Sequence, residues 1–535
     1  MTVRSFLEYN NGSEWIKNEN VKIKGFIYDK EGTCYEGKNL SEYFTGIKNL
    51  QELEDVLKRA NGVFSLIYEL GDELILYSDK SRFHTLFYTW NNDQLLVSDS
   101  VEKLLSFLPS WNIDNESVEA FSGMGFVPGN KTLIQGIYQL QASEFLIIRD
   151  GKKAGSRVLF DYSVTEFKAW GYDDAYRITK EKLECGFERM YNSLKGRQIV
   201  VPLSGGYDSR FIATFLKCCG ARDVICFTYG KPSHSEVEIS RQMAEKLGYK
   251  WFFIDHTREK AVHYEGDKEV RRYINFASQY TSMFFLSEYF SVRYLKQNGI
   301  LEEGSVFIPG HSGDLLGGSQ YLKAYNDSLN FDNFYRNFFQ KKYIYYRYDK
   351  IRQSQLISSF KETHNIQNEF YQGKDIRSVY EDIDIKEKIA KFIINSSKVF
   401  SFFGYSVRFP FWDDEIVDHF KYLPYKYRKE KYLYNNILVN EYFKQFDLIA
   451  KKELEPGNLT LRIQEMKEFI KRKLPSKMQF RYVLKNDWAD YYSLTSKMRG
   501  ELHQKFPMAE MHPTSVNSYI IQWYVTKVKE KVGSL

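Results

Sequence analysis

The sequence predicts an α/β protein of two parts, in which a β-rich first third precedes a parallel sheet layered with helices. Three observations carry this prediction. Short runs of β-branched and aromatic residues, separated by turn signals, fill roughly the first 160 residues. Apolar strands then alternate with helical stripes, and the chain from about residue 270 onward is mostly helical. The 535 residues also exceed the roughly 250–300 residues to which a single core grows.

The first part is predicted to span residues 1–165. Its strands are short and are bounded by turns such as Gly71-Asp72, which favours an antiparallel meander through residues 61–98. The predicted strands are 21–29, 61–70, 72–79, 85–90, 95–98 and 143–149, and the predicted helices are 48–59 and 115–124.

The second part, residues 166–535, begins with a helical stripe at 173–194 and a continuous apolar run at 198–203. Such a run is typical of a strand buried on both faces in a parallel sheet. The elements that follow are a helix at 209–219, a strand at 223–228, a helix at 235–247, and strands at 251–254 and 306–308. This alternation predicts a parallel α/β layer. Because no low-complexity linker is present, the two parts are expected to pack directly on each other.

Composition argues against several classes of protein. The formal charge of +6 is small for this length and does not indicate a nucleic-acid partner. The five cysteines are odd in number and form no CxxC pair, so neither a disulfide framework nor a zinc site is indicated. The polar N-terminus lacks a signal-peptide core, and no apolar run approaches the roughly 18–20 residues of a membrane span. A cytoplasmic protein is expected.

The strongest chemical motif is the segment 200–212, VVPLSGGYDSRFI. An apolar strand ends in Ser-Gly-Gly at 204–206, and a helix begins near Asp208 and Ser209. The glycines let a ligand approach closely and permit backbone conformations closed to other residues. The helix start supplies free N–H groups and a positive dipole end, and the serines add hydroxyl donors. These features predict a cradle for pyrophosphate, with Asp208 indicating a bridging Mg²⁺. A tight turn is the alternative for a bare Ser-Gly-Gly.

The SGGxDS loop at 204–209 resembles that of the N-type ATP pyrophosphatases, which cleave ATP between the α- and β-phosphates. The whole chain resembles one branch of them, the asparagine synthetase B family, which includes β-lactam synthetases, lasso-peptide cyclases and amidotransferases of surface polysaccharides. The resemblance implies an N-terminal Ntn-hydrolase-like β-rich sandwich domain. It also implies a C-terminal parallel-sheet domain of the adenine nucleotide α-hydrolase type with extra helices. ATP and Mg²⁺ are the implied cofactors, and a homodimer is left open.

Three further segments carry the resemblance. Residues 308–314, IPGHSGD, with Gly317-Gly318 after them, resemble the family's second nucleotide motif, SGEGSDE. Residues 404–413, GYSVRFPFWD, resemble the family's GVEARVPFLD. The segment 450–453, Ala-Lys-Lys-Glu, lies where the family places a lysine that contacts the α-phosphate and the reaction intermediate.

The resemblance assigns a role to each residue that matches a family motif. The implied ATP-binding residues are Leu203, Ser204, Gly205, Gly206, Asp208, Ser209, Phe227, Thr228, Tyr229 and Gly310. The implied Mg²⁺ ligands are Asp208 and Asp314, and the implied catalytic residues are Lys452 and Lys451. His311, which departs from the motif, is the third candidate catalytic residue. Residues 227–229 would line the adenine pocket, with core packing at a strand end as an equal alternative for Phe227.

The first part departs from the glutaminase pattern of this family. Glutamine-using members carry an N-terminal Cys nucleophile, exposed after removal of Met, whereas position 2 here is Thr. An N-terminal Thr can also act as a nucleophile, so Thr2 alone does not decide the matter. The family's Asn-Gly pair near the glutamine site is replaced by Lys24-Gly25, and the N-terminal Cys-Gly-Ile strand is absent. We therefore expect no glutamine hydrolysis and a nitrogen donor that is free ammonia or an amine.

The synthetase motifs depart from the family pattern as well. His311 replaces the Glu of GEGSDE, and Ser406 replaces the Glu of GVEAR. Lasso cyclases also carry His in a Gly-His-Gly-Gly-Asp version of the motif. An imidazole that titrates near pH 7 could accept the proton of an attacking amine or stabilise charge on the leaving AMP. The remaining alternative is a histidine that only hydrogen-bonds the backbone of its loop.

The sequence thus predicts an AMP-forming, ATP-dependent ligase that adenylates a carboxylate and joins it to ammonia or an amine. The carboxylate is expected on a small molecule or a glycan. Amidation of a uronic acid in a surface polysaccharide is the first choice, and cyclisation or ligation of a peptide or natural product is the second. Alternatives of other classes are a non-catalytic nucleotide-binding scaffold and an RNA-modifying ATP pyrophosphatase. The absence of zinc cysteines and of a catalytic cysteine pair disfavours the latter.

Overall fold

The computed structural model describes residues 3–92, 94–258, 266–319, 329–449, 476–506 and 513–533. The strands before residue 160 are β1 (Val3–Phe6), β2 (Ile16–Lys17), β3 (Val21–Tyr28), β4 (Cys34–Glu36), β5 (Asn61–Leu70), β6 (Glu73–Ser78), β7 (Phe87–Asn91), β8 (Gln94–Ser98), β9 (Tyr138–Gln139), β10 (Glu144–Arg149) and β11 (Lys152–Val158). The later strands are β12 (Ile199–Pro202), β13 (Val224–Gly230), β14 (Lys250–Asp255), β15 (Val306–Phe307) and β16 (Ser406–Val407).

The early strands form two sheets that pack face to face as a sandwich. One sheet has the order β11-β10-β6-β5-β3-β2, with β4 paired to β3, and the other has the order β1-β8-β7-β9. Alternate residues of β5 and β6 explain the layering, because Ile67 and Leu76 join Tyr88 of the facing sheet in one core. Phe64 and Tyr77 point the other way and join a second core under the helix Leu50–Arg59. The β-rich sandwich predicted for this part is confirmed.

The predicted meander through residues 61–98 is wrong in one respect. β5 pairs with β6, and β7 pairs with β8, but the two hairpins belong to different sheets. The connection between them is buried, and Asp79 holds its turn by accepting a hydrogen bond from the Ser81 backbone N–H at 2.7 Å. Because β5 and β6 are apolar on both faces, a second layer must cover them, and the following hairpin supplies it.

The later strands form a five-stranded sheet in the order β14-β13-β12-β15-β16, and every neighbouring pair is parallel. The predicted parallel α/β layer is therefore confirmed. Strand order changes direction between β12 and β15, and ligands of such sheets bind outside the carboxyl ends of the strands at this point.

Helices cover the sheets and make up most of the chain after residue 266. The α-helices are Leu50–Arg59, Val101–Leu105, Asn115–Met124, Tyr172–Asn192, Tyr207–Cys218, Ser235–Leu247, Lys268–Ser278, Ser287–Gln297, Gly313–Gly317, Phe334–Lys342, Lys350–Thr363, Ile376–Asp384, Ile394–Ser396, Lys398–Phe402, Asp414–Tyr422, Tyr425–Arg428, Tyr432–Ile437, Ser476–Lys485, Tyr491–Leu494, Ser496–Lys505 and Val516–Gly533. The 3-10 helices are Gly37–Phe44, His256–Arg258, Glu369–Tyr371, Pro410–Trp412, Lys429–Lys431 and Lys444–Phe446, and the π-helices are Ile385–Ile393 and Leu438–Phe443.

The sandwich packs directly on the parallel-sheet layer, and one buried arginine marks the contact. Arg408, which follows β16, is 2% exposed and stacks on the ring of Phe26 in β3 at 4.1 Å. Its guanidinium also donates to Ser193 Oγ at 3.0 Å and pairs with Glu36 of β4. The boundary at residues 165 and 166 stays a prediction, since one continuous core joins the layers on either side of it.

No helix in the described ranges is both long enough and apolar enough to cross a membrane.

A fully buried ion pair fixes the helical layer behind the parallel sheet. Both Arg428 terminal nitrogens donate to Glu381, at 2.7 and 2.6 Å, and both side chains are 0% exposed. Arg428 Nε also donates to the Leu316 carbonyl at 3.3 Å. The pair therefore ties the helix Ile376–Asp384 to the segment that follows β15.

Replacing Arg428 by Met is expected to lower the free energy of unfolding by about 3–5 kcal/mol, because Glu381 is then a buried charge without its partner. Denaturant unfolding followed by circular dichroism measures the change. The double variant Arg428→Met/Glu381→Leu should regain a large part of the loss, since it removes the unpaired charge.

Arg241→Met is the matched control, because Arg241 bonds Glu238 and Glu245 on an exposed helix face. Its loss should stay below about 1 kcal/mol. Equal losses for the buried and the exposed arginine would contradict the importance of the Glu381–Arg428 pair.

Candidate active site

Two loops meet at the carboxyl edge of the parallel sheet. The first, residues 203–206, follows β12, and the second, residues 308–312, follows β15. Because β12 and β15 are parallel neighbours, their carboxyl ends open at the same edge. The Ile308 backbone N–H donates to the Val200 carbonyl at 3.0 Å, and the Leu203 N–H donates to the Phe227 carbonyl at 2.9 Å. The loops therefore begin from fixed positions on either side of the change in strand order.

The first loop is an array of donors closed by its two serines. Ser204 N–H donates to Ser209 Oγ at 3.1 Å, and the two hydroxyls also lie 3.1 Å apart. The Gly206 N–H donates to Ser204 Oγ at 3.2 Å. Gly206 is the N-cap of the helix Tyr207–Cys218, whose first-turn N–H groups point toward the loop. The structure thus brings residues 204, 205, 206 and 209 together in one loop, and anion binding there stays a prediction.

A buried arginine supports this loop from below. Arg210 is 0% exposed and donates to the Gly205 carbonyl at 2.7 Å and the Leu448 carbonyl at 2.9 Å. Its guanidinium lies between the rings of Tyr207 and Phe443, at 5.0 and 4.8 Å. One terminal nitrogen thus holds the loop backbone and the other holds Leu448, and the guanidinium brings a positive charge beneath the loop.

The glycines of the site are needed because a side chain would not fit there, and not because of their backbone conformation. Neither Gly205 nor Gly206 has a positive φ, so the expectation that they adopt conformations closed to other residues is wrong. A Cβ on Gly205 would lie 2.6 Å from a Glu236 carboxylate oxygen, and one on Gly310 would lie 2.8 Å from the Ser209 nitrogen. A Cβ on Gly313 would lie 2.7 Å from Asp208 Cγ. The glycines thus allow the first loop to approach the second loop and Glu236 closely, and the predicted approach of a ligand stays a prediction.

Asp208 stands where the two loops touch. Its Oδ1 accepts a hydrogen bond from the Tyr434 hydroxyl at 2.8 Å, and its carboxylate faces Gly313 of the second loop. Asp314 follows in the helix Gly313–Gly317, and its side chain lies outside the described part of the structure. The backbone thus places both predicted Mg²⁺ ligands on adjoining turns.

Glu236 places a carboxylate in the mouth of the cradle. The Gly205 backbone N–H donates to Glu236 Oε2 at 2.7 Å. Glu236 lies in the first turn of the helix Ser235–Leu247, behind its N-cap His234. An acidic side chain on a donor of a phosphate loop is the same kind of anion that a phosphate oxygen would be. Sequence reasoning missed this residue, and acidic enrichment in a helix's first turn was the only signal for it.

The second loop carries a strained residue beside His311. Ser312 has a φ of +79°, which non-glycine residues adopt rarely, and its Oγ accepts from Trp412 Nε1 at 3.2 Å. His311 Nδ1 lies 2.9 Å from the Ser397 hydroxyl. The imidazole therefore has a fixed orientation set by a buried side chain outside its own loop, and Ser397 is a second residue that the sequence analysis did not identify.

The three residues at the end of β13 differ in their surroundings. Phe227 is 0% exposed and packs near Phe307 of β15, so its side chain belongs to the core. Thr228 is also buried and donates from Oγ1 to the Leu203 carbonyl at 2.6 Å, which ties β13 to the first loop. The Tyr229 ring stacks on Trp488 at 5.5 Å, and its hydroxyl donates to Glu288 at 2.6 Å. Of the three, Tyr229 alone is partly exposed, and its ring also stacks on His256 at 4.9 Å.

The segment 404–413 contacts the second loop through Trp412, whose Nε1 donates to Ser312 Oγ, and other side chains of the segment contact the first part of the chain. Ser406 Oγ donates to the Gly12 carbonyl at 3.0 Å, in the first part of the chain. Arg408 packs on Phe26 as described above, and Asp413 caps the helix Asp414–Tyr422 and accepts from Asn61 at 2.9 Å. This motif therefore holds the sandwich against the parallel-sheet layer.

Thr2, Lys451 and Lys452 lie outside the described residues, as does the side chain of Asp314.

The residues present fit a magnesium ion bound together with phosphates. Mg²⁺ is usually held by one or two carboxylates plus substrate phosphates and water, and not by a cage of protein ligands. Asp208 supplies one such carboxylate beside a donor-rich loop. In the ranges that the structure covers, no group of three or more His, Cys, Asp or Glu side chains could hold a metal by itself.

Comparison with known proteins matches residues 194–440 to the asparagine synthase family. Among curated proteins, the chain is 25% identical over 173 residues to the putative asparagine synthetase [glutamine-hydrolyzing] 2 of Methanocaldococcus jannaschii, covering 30% of this chain and 32% of that protein. It is 24% identical over 201 residues to asparagine synthetase [glutamine-hydrolyzing] 1 of Bacillus subtilis, covering 36% and 31%. The chain thus spans less than a third of the length of each relative.

Solved structures give weak likenesses. The NH3-dependent NAD synthetase from Campylobacter jejuni matches at 17% identity with a TM-score of 0.21, covering 42% of this chain and 98% of that chain. The glutamine phosphoribosylpyrophosphate amidotransferase from B. subtilis matches at 10% identity with a TM-score of 0.18, covering 56% and 58%. These scores are too low to carry an argument, so the fold rests on the strand order itself.

The matched region 194–440 begins just before β12 and includes β12–β16, both loops and Tyr434. The chain is therefore asparagine synthetase-like, and its asparagine synthase region is the part that builds the two-loop site.

Proposed function

We propose that this protein is an AMP-forming, ATP-dependent ligase that adenylates a carboxylate and couples it to ammonia or an amine. The observation that carries the proposal is the meeting of the donor-rich loop 203–209 with the loop 308–314 at the carboxyl edge of the sheet. The match of residues 194–440 to the asparagine synthase family supports the same chemistry.

The reaction would proceed in two displacements. Attack of the substrate carboxylate on the α-phosphorus of ATP gives an acyl-adenylate and pyrophosphate, and attack of the amine then gives the amide and AMP. Ser204, Gly206 and Ser209 would donate hydrogen bonds to the departing pyrophosphate, while Arg210 keeps their backbone in place. Preorganised donors of this kind stabilise charge as it develops and need no rearrangement during the reaction.

Two further sets of groups complete the proposed site. Mg²⁺ bound by Asp208 and Asp314 would neutralise the phosphate charge. Lys452, with Lys451 beside it, is proposed to contact the α-phosphate on the basis of sequence position alone. Leu203, Thr228, Tyr229 and Gly310 are proposed to border the nucleotide, with Phe227 contributing its backbone carbonyl to the strand end rather than its side chain.

His311 is proposed to accept the proton of the attacking amine. Its Nδ1 is engaged with Ser397 at 2.9 Å, which fixes the ring so that Nε2 projects from the opposite side. A general base must be held within hydrogen-bond reach of its proton, and a second group that orients the imidazole is the usual means. Ser397 would be the positioning residue.

Free ammonia or an amine is the proposed nitrogen donor. Lys24, at the position of the family's Asn, is 5% exposed and donates from Nζ to the Tyr9 carbonyl at 2.6 Å. The buried ammonium of Lys24 thus stands where glutamine-using members have the neutral amide of an asparagine. Together with Thr2 at the position of the nucleophile, this supports a sandwich without glutaminase activity.

The substrate carboxylate is proposed to be a uronic acid of a surface polysaccharide. This choice rests on the resemblance to polysaccharide amidotransferases, which is analogy at the level of family. A peptide or natural-product carboxylate is the alternative that the same experiment distinguishes.

ATP–pyrophosphate exchange measured across uronic acids, amino acids and peptides should reveal one class of carboxylate that supports exchange. Asp208→Asn should lower that exchange by about 100-fold or more, because it removes the charge proposed to bind Mg²⁺ while keeping the side chain's shape. Asp223→Asn is the matched control, since Asp223 precedes β13 at the opposite edge of the same sheet. The proposal would be overturned if none of the carboxylates supported exchange, or if Asp208→Asn exchanged as fast as the native protein.

Glu236→Gln is expected to tighten binding of ATP or pyrophosphate by roughly tenfold, about 1.4 kcal/mol. The carboxylate on the Gly205 N–H competes with a phosphate oxygen and repels it, whereas the amide has the same shape without the charge. Isothermal titration calorimetry measures the change. Glu238→Gln, on the exposed side of the same helix, should leave affinity unaltered. Weaker binding in Glu236→Gln would mean that Glu236 supports the ligand.

His311→Ala should separate the two displacements. Exchange should persist within a few fold, while amide formation from ammonium or a small amine falls by about 10²–10⁴-fold. Ser397→Ala should retain part of this rate and alter its pH profile, because the imidazole is still present but no longer oriented. Quantifying the amide by mass spectrometry, with glutamine as a donor that should fail, tests these outcomes. Parallel loss of exchange and amide formation would instead assign His311 to the adenylation step.

A further inference from the structure

We propose that a cavity between the sandwich and the helix Lys398–Phe402 binds a small monovalent anion, such as a halide or a formate-sized carboxylate, on the ammonium of Lys398. The site is separate from the two-loop edge of the parallel sheet and does not depend on the proposed ligase reaction.

The cavity is small and is lined by both parts of the chain. Its volume is about 30 Å³, and its polar lining includes Lys24, His84, Thr85, Asp99 and Lys398. A volume of roughly 10–15 Å³ on the same measure holds one water molecule. The space therefore suits one or two water-sized particles, such as a halide or a formate ion.

Lys398 is the group without a partner. It is 9% exposed, and among the residues that the structure describes it makes no hydrogen bond and no ion pair. Its nearest assigned contact is the ring of Phe276, 5.9 Å from Nζ. A buried ammonium is stable only when hydrogen-bonded or paired, so a particle in the cavity must supply that interaction.

The other charges around Lys398 leave an excess of positive charge. Lys24 is held by the Tyr9 carbonyl, and Arg82 donates to the Leu140 carbonyl at 2.8 Å and to Gln139. Asp99 is the one acid of the lining, and it already accepts from the Glu8 and Tyr9 N–H groups and from Trp15 Nε1. An anion would offset this excess more completely than water.

Protonation of Lys398 gives the site a pH dependence. Burial lowers its pKa to about 7, helped by Arg82 and Lys24 and opposed by Asp99. Burial also holds the pKa of His84 well below 6.5, so its neutral ring remains available as a donor to the anion. On the neighbouring helix, Lys296 is occupied by the Phe403 carbonyl at 2.8 Å. The anion prefers charged Lys398, so binding is full below pH 7 and weakens as pH rises.

Titration of bromide or formate into the full-length protein, in a halide-free gluconate buffer of constant ionic strength, tests the site. The apparent dissociation constant should rise about tenfold per pH unit above 7, and binding at pH 8 should take up protons. Acetate, which is larger, distinguishes a carboxylate-fitted cavity from one sized for halide and formate. A crystal soaked in bromide should show an anomalous peak beside Lys398 Nζ.

Lys398→Met should abolish the anion response, and Lys398→Arg should keep it without the change between pH 7 and 9, because a guanidinium stays charged. Lys296→Met is the control for loss of one charge nearby, and it should respond as the native protein does. The bromide experiment uses the native chain, so it decides the question even where a variant fails to fold. No bromide at Lys398, or equal anion responses in the native protein and Lys398→Met, would show that water alone fills the cavity and would overturn the proposal.

Discussion

The close contact between the loop after β12 and the loop after β15 is the constraint on which the site depends. Parallel neighbours bring the two loops to one edge, but contact requires that Gly310 and Gly313 have no side chain, because a Cβ on either would lie within 3 Å of Asp208 or Ser209. That spacing brings the Asp208 carboxylate against the turn that carries His311 and Asp314. Any residue larger than glycine would separate the two loops and open a gap in the donor array.

Three buried arginines are a second structural feature of this chain, and each is neutralised or hydrogen-bonded by a different set of partners. Arg428 meets a carboxylate, Arg210 meets carbonyls and aromatic faces, and Arg408 joins a carboxylate to the ring of Phe26. In each case at least one partner comes from a distant part of the chain. Such interactions add little net stability over apolar packing, but they penalise every arrangement that leaves the charge unpaired. They therefore specify how the layers dock more than how strongly they adhere.

The regular elements could be predicted well from the sequence, because strands with a consistent apolar face and helices with an apolar stripe show a clear hydrophobic period. β5 coincides with the predicted 61–70, and the helix Ser235–Leu247 with the predicted 235–247. Short strands such as β9 and β16 have too few residues to show a period, and the crossing between β6 and β7 depends on the partner sheet. Local pattern cannot reveal which layer a hairpin joins.

The candidate site shows the same division. The loop 204–209 is contiguous and could be predicted as a cradle. In contrast, Glu236, Tyr434 and Ser397 contact Gly205, Asp208 and His311, which lie 31, 226 and 86 residues away along the chain. No sequence motif links these three residues, because the tertiary fold and not their spacing along the chain brings them to the site. The glycines illustrate the limit most clearly, because the sequence shows that space is needed but not which neighbour fills it.

The helical segment 394–402 lies between the two-loop site and the cavity under the sandwich. Ser397 turns its hydroxyl to His311 on one side, and the next residue, Lys398, turns its ammonium to the cavity under the sandwich on the other. The sandwich thus does more than cover the parallel-sheet layer, since it supplies walls of the cavity beside Lys398 and the Gly12 carbonyl that binds Ser406. Removing the sandwich would take away Phe26 and Glu36, the partners of Arg408, and would uncover the segment that orients His311. The position of the imidazole therefore depends on packing between the two parts of the chain as much as on its own loop.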